Sequence, residues 1–188
     1  MRSRSYQRRF LRAPLKTRLL FADGEHVHGA RTQNISEDGL LIEELPSFPE
    51  SFDLPVMLQL PLYPSFKDFS TEELEAFSPE EKGSRLIRFK GKIVRREELA
   101  QNLDNLFRIK IGLQISEIDP YHRNEIAQYV SIYSSNLIHL QLAVDSTNAD
   151  EDMLRRARAL GSILGYPTEK ITQLAALVTH DYQSLQWI

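Results

Sequence analysis

The sequence has no cysteine among its 188 residues, which removes disulfides, thiolate zinc sites and cysteine nucleophiles together. No apolar run reaches the ~18 residues that a membrane-crossing helix needs. The opening stretch MRSRSYQRRF lacks the apolar centre of a signal peptide. A cytoplasmic protein without a membrane span is the expectation. No segment repeats with a period of about 20–50 residues, which argues against solenoids and propellers. Phosphate-cradling glycine loops, paired-carboxylate motifs and nucleophile–base constellations are all missing, so no enzyme, catalytic residue or cofactor is expected.

Acidic residues are absent from the first 20 positions. Those positions hold seven basic ones: Arg2, Arg4, Arg8, Arg9, Arg12, Lys16 and Arg18. The rest of the chain holds 16 basic and 26 acidic residues. A basic arm on an acidic body suggests an anionic partner for the arm. Non-specific nucleic acid is the weaker candidate, because neither an aromatic RNA-binding motif nor a recognition helix is evident.

The first two-thirds of the chain read as short strands. PLKTRLLF (14–21) meets the turn Asp23-Gly24, followed by HVHGARTQN (26–34), GLLIEE (39–44) and PVMLQLPL (55–62). LIRFKGKIVR (86–95) and LFRIKIGLQI (106–115) alternate most clearly, with Phe107, Ile109, Ile111 and Leu113 on one face. Six such strands predict an antiparallel barrel or sandwich. The acidic stretch 63–84 interrupts them as a surface insertion, with one or two helical turns at 71–75.

After residue 118 the apolar period lengthens to that of a helix. Asp119-Pro120 is a start signal, and Ile126, Tyr129, Val130, Tyr133, Leu137 and Leu140 form one stripe. A second helix is predicted from Asn148 with Glu151 as its capping-box partner, weakened or ended at Gly161 and Gly165. A third is predicted to open at Pro167. The expected division is 1–140 for the barrel with its helix and 141–188 for a helical extension. The apolar stripes of that extension, with Leu185, Trp187 and Ile188, suggest a homodimer or docking of an unknown protein partner.

Two short motifs carry the chemistry. Arg8-Arg9-Phe10-Leu11-Arg12 places two guanidiniums four positions apart, able to converge on one anion as forked donors. Asn34-Ile35-Ser36-Glu37-Asp38-Gly39 offers an amide, a hydroxyl and a glycine that permits a turn or a close approach. Arg-x-x-x-Arg, a strand, a hairpin and then (Asp/Asn)-x-Ser-x-x-Gly resembles the PilZ domain family, bacterial receptors for cyclic di-GMP. The resemblance runs over about residues 6–140 and implies a six-stranded antiparallel β-barrel followed by a C-terminal helix. It implies that Arg8 and Arg12 grip phosphates and guanines and that Arg9 adds charge or a stack. It further implies that Asn34 meets a guanine edge, Ser36 meets a phosphate and Gly39 serves the turn. Ligand binding is then expected to order the arginine arm and to signal to a partner. The rival from another class is an adaptor that uses the barrel for protein contacts without nucleotide.

Two further pairs have blander readings. His26-Val27-His28 lacks the additional ligands a metal needs and reads as exposed strand. His180-Asp181 is similar to the pair of metal-dependent phosphohydrolases, but the further ligands that chemistry requires are not evident, and the pair reads as incidental.

Overall fold

The structure is a computed structural model in which residues 10–45, 47–78, 83–99, 108–146 and 150–186 are described. The strands are β1 (Ala13–Pro14), β2 (Arg18–Asp23), β3 (His26–Ser36), β4 (Gly39–Leu45), β5 (Asp53–Pro61), β6 (Ser84–Leu99) and β7 (Arg108–Ile118). The helices are α1 (Thr71–Ala76), α2 (Pro120–Ser146), α3 (Glu151–Leu164) and α4 (Ile171–Gln186).

Every pairing in the sheet is antiparallel. The order is β1-β3-β2-β5-β6-β7-β4, and β4 returns to pair with β3, closing a six-stranded barrel with β1 as an additional strand. This is the fold class the resemblance implied. Closure leaves the six barrel strands no free edge. Alternation then fills the interior. Leu54, Val56, Leu58 and Leu60 of β5 point inward, as do Ile109, Ile111, Leu113 and Ile115 of β7, and all are buried. Each such side chain contributes about 1.5–3 kcal/mol relative to exposure.

The predicted strand 14–21 is interrupted. Its first residue, Pro14, belongs to β1 and its last, Arg18 to Phe21, to β2, both along β3, and the register changes between them. The buried Thr32 side chain holds the junction, accepting from the Thr17 amide at 3.0 Å and donating to the Thr17 carbonyl at 3.1 Å.

The described residues divide into two compact units: a barrel unit of 10–61 and 84–130, and a helical unit of 62–83 and 131–188. Helix α2 spans Pro120–Ser146. Its predicted stripe, Ile126 to Leu140, is buried throughout.

In the helical unit, the acidic stretch is anchored by its aromatics. Phe66 is fully buried against Phe69 and Phe77. Helix α1 starts with a capping box, Ser70 and Glu73 each bonding the other's backbone amide. Helix α3 begins one turn's edge later than expected, capped by Asp150, while Asn148 lies outside the described residues. Gly161 stays inside α3, and Gly165 ends it at φ 85°, a left-handed conformation that suits glycine. Pro167 does not open α4. It follows the C-cap as a stop signal, and the Lys170 carbonyl accepts the first bonds of α4, from Gln173 and Leu174. Among the described residues, no helix is long and apolar enough to cross a membrane.

Candidate functional site

The Asn-x-Ser-x-x-Gly motif begins on β3, where β1 pairs. Ala13 pairs with Ile35 and Pro14 with Asn34, so the segment that leaves the arginine arm lies directly beside the Asn-x-Ser-x-x-Gly hairpin. Arg12 is half-buried. Arg8 and Arg9 lie outside the described residues.

Asn34 sits between Pro14 of β1 and Leu41 of β4, just after a bulge in β3. Its side-chain Oδ1 is buried and has no hydrogen-bond partner among the described residues. Leaving a buried acceptor unpaired costs about 1–3 kcal/mol, so such a group calls for a donor.

Ser36 is 0% exposed, and its hydroxyl is engaged inside the turn, 2.6 Å from Asp38 Oδ1 and 3.1 Å from the Gly39 carbonyl. Gly39 answers a close approach rather than a special φ. A Cβ there would stand 2.5 Å from the Leu113 carbonyl of β7, inside hard-sphere contact.

Four groups that sequence reasoning did not single out support these motifs. Tyr129 of α2 donates to the Pro14 carbonyl at 2.7 Å, fixing β1. Arg123, in the first turns of α2, donates to the Glu37 carbonyl at 3.1 Å, fixing the hairpin tip. The Asp38 carbonyl accepts from the Ile115 amide at 2.8 Å. Lys110 of β7 lies 3.3 Å from both Gln33 and Glu43, supplying a partly shielded cation next to the bulge. Tyr129 belongs to the predicted apolar stripe, so its hydroxyl was the available signal. Arg123 is one of several charged residues at a helix start and carries no periodic mark.

The chemistry of this corner is a buried acceptor and a hydroxyl, with an arginine one residue ahead of β1. That set fits an anion carrying a hydrogen-bonding base edge. Among the described residues, no group of histidines and acids could hold a metal ion. His26 and His28 lie along β3 with their rings against each other, and the His28 ring stacks on Phe21.

The family model described as PilZ domain matches residues 3–131. The chain belongs to the PilZ domain family. Solved structures with a similar fold include the Bacillus subtilis Inhibitor of motility (MotI/DgrA), at 16% identity and TM-score 0.48, covering 66% of this chain and 49% of that one. The chain thus spans about half the length of that protein. The PilZ domain of Escherichia coli YcgR with c-di-GMP matches at 10% identity and TM-score 0.45, over 77% of this chain and 99% of that one. The Borreliella burgdorferi PlzA protein in complex with c-di-GMP matches at 11% identity and TM-score 0.37, over 62% and 44%. No curated protein matches the chain.

Proposed function

We propose that this PilZ protein is a cyclic di-GMP receptor, with Arg8, Arg9, Arg12, Asn34, Ser36 and Gly39 forming the site, and that it binds rather than transforms its ligand. The observation that carries the reading is the unpaired, buried Asn34 Oδ1 beside the strand that leads from the arginines. A guanine edge supplies N–H donors for that oxygen. The ligand's two phosphates supply the anions that three clustered guanidiniums need, and each charge-assisted bond contributes about 1.5–3 kcal/mol.

The bound ligand ties the arginine segment to the hairpin. Helix α2 is the outlet for the signal, because Tyr129 bonds the strand that follows the arginines and Arg123 bonds the hairpin. A change at either reaches the same helix. A protein partner reads the change on α2.

Calorimetry with cyclic di-GMP on the full chain tests the reading. Wild type is expected to bind. Arg12→Ala and Asn34→Ala are each expected to weaken binding about tenfold or more, the equivalent of losing one charge-assisted or buried hydrogen bond. A folded wild type that releases no heat, or an unchanged affinity in both variants, overturns it.

A further inference from the structure

We propose that Asp38 is a built-in competitor of the ligand phosphate for the Ser36 hydroxyl, and that it sets the ligand concentration at which the site fills. The inference rests on the receptor reading above and adds a regulator of that same site.

A serine hydroxyl has one proton to give. Here the nearest acceptor is the Asp38 carboxylate, 2.6 Å from Ser36 Oγ, with the Gly39 carbonyl at 3.1 Å. The shorter distance is that of a charge-assisted bond, roughly twice as strong as a neutral one. A phosphate oxygen and a carboxylate oxygen are both anionic acceptors, so they compete for the same proton and repel each other at close range. The backbone that carries the Asp38 side chain is held in place, its own carbonyl bonded to Ile115 and its neighbour's to Arg123. Among the described residues, no ion pair neutralises its carboxylate.

Ser36 therefore has two alternatives, turned in on Asp38 or turned out to a phosphate. Only the second is competent, and the apparent dissociation constant rises as the competent fraction falls. Removing the charge at position 38 raises that fraction and removes the repulsion.

The test is calorimetry of the full chain with cyclic di-GMP for wild type, Asp38→Asn and Asp38→Ala, paired with thermal melts of the unliganded proteins. Asp38→Asn keeps the size and one oxygen but drops the charge, and it is expected to bind about tenfold tighter. Asp38→Ala is expected to bind tighter while melting lower, since the turn loses a bond. Opposite movement of affinity and stability is the readout that a purely structural aspartate would not give. Adding Ser36→Ala to Asp38→Asn is expected to remove the gain. Unchanged or weaker binding by both single variants, with wild type binding, overturns the inference and leaves the receptor reading standing. Binding by none of the folded proteins overturns the receptor reading, and this inference with it.

Discussion

The barrel unit and the helical unit solve the same problem differently. Each must pair the backbone polar groups that it buries. The closed ladder of the barrel pairs its own, so the interior can be almost wholly aliphatic, and the buried Thr32 and Ser36 bond locally. The helical unit contains the irregular run 62–70, which has no ladder. Its backbone is satisfied by side chains reaching out of helices. Asn136 accepts from the Phe66 amide at 2.9 Å and donates to the Pro64 carbonyl at 3.0 Å. Arg156 donates to the Phe69 carbonyl at 2.6 Å. The lesson is that a sheet spreads its stability over many equivalent bonds, whereas an irregular segment concentrates it in a few polar residues.

The sharpest way to break this contrast is Asn136→Leu. The substitution strands two backbone groups at a position of 0% exposure. At about 1–3 kcal/mol for each unpaired group, the expected loss is about 2–6 kcal/mol, read by denaturant unfolding and by hydrogen exchange at Phe66. A loss near zero would mean that water replaces Asn136 and that the segment does not depend on it.

Next in size is Gly39→Ala in the barrel. The added methyl meets a backbone carbonyl, which cannot rotate away as a side chain can. The expected cost is about 1–3 kcal/mol in a thermal melt, with the β3–β4 hairpin pushed off β7. A neutral result would show that the hairpin yields, and would weaken the picture of a rigid corner.

Acid and alkali should separate the two units by a smaller amount. Asp23 of the barrel unit accepts hydrogen bonds from Ser51 and from the Glu50 amide, which hold its carboxyl below its usual value of 3.8. The folded form thus stays ionised where the unfolded form protonates. That contribution is present at neutral pH and fades as pH falls below about 4. In the helical unit, burial pushes the Tyr133 and Tyr166 hydroxyls up from their ordinary value of 10.0. The folded form keeps those protons while the unfolded form releases them. Stability is therefore full below about pH 10 and falls above it. Melts across pH are expected to lose the acid limb in Asp23→Ala and to soften the alkaline limb in Tyr166→Phe. The same limb in wild type and variant would assign the titration to other groups.

The contrast also explains what was legible in the sequence. Strand alternation at 86–95 and 106–115 and the stripe from Ile126 to Leu140 are periodic, and periodicity reports burial directly. The break between β1 and β2 was hidden, because a single change of register at Lys16 leaves no compositional mark. So was the anchoring of 62–70, since Asn136 and Arg156 look like ordinary polar residues until the chain brings them to Phe66 and Phe69. At the candidate site, the sequence marks the motif of Asn34, Ser36 and Gly39 as a proposal. That Ser36 turns inward to Asp38 could not be read from it, because a hydroxyl's choice between neighbouring acceptors is made by rotation about one bond.

The smallest expected effect comes from the helical unit's most conspicuous ion pair. Arg155 Nε donates to Glu75 at 3.0 Å, with Glu72 and Asp152 nearby, and the pairing lowers the Glu75 carboxyl and raises the guanidinium. Both partners are exposed, so water and salt screen the attraction, and ordering two long side chains opposes it. Glu75→Gln should leave the unfolding midpoint unmoved at physiological salt. The Asn136 and Glu75 variants then bracket the unit: one buried amide between two backbone groups should outweigh a whole cluster of surface charge. A large loss from Glu75→Gln would reverse that ranking and place the anchor of α1 at the surface rather than in the aromatic interior.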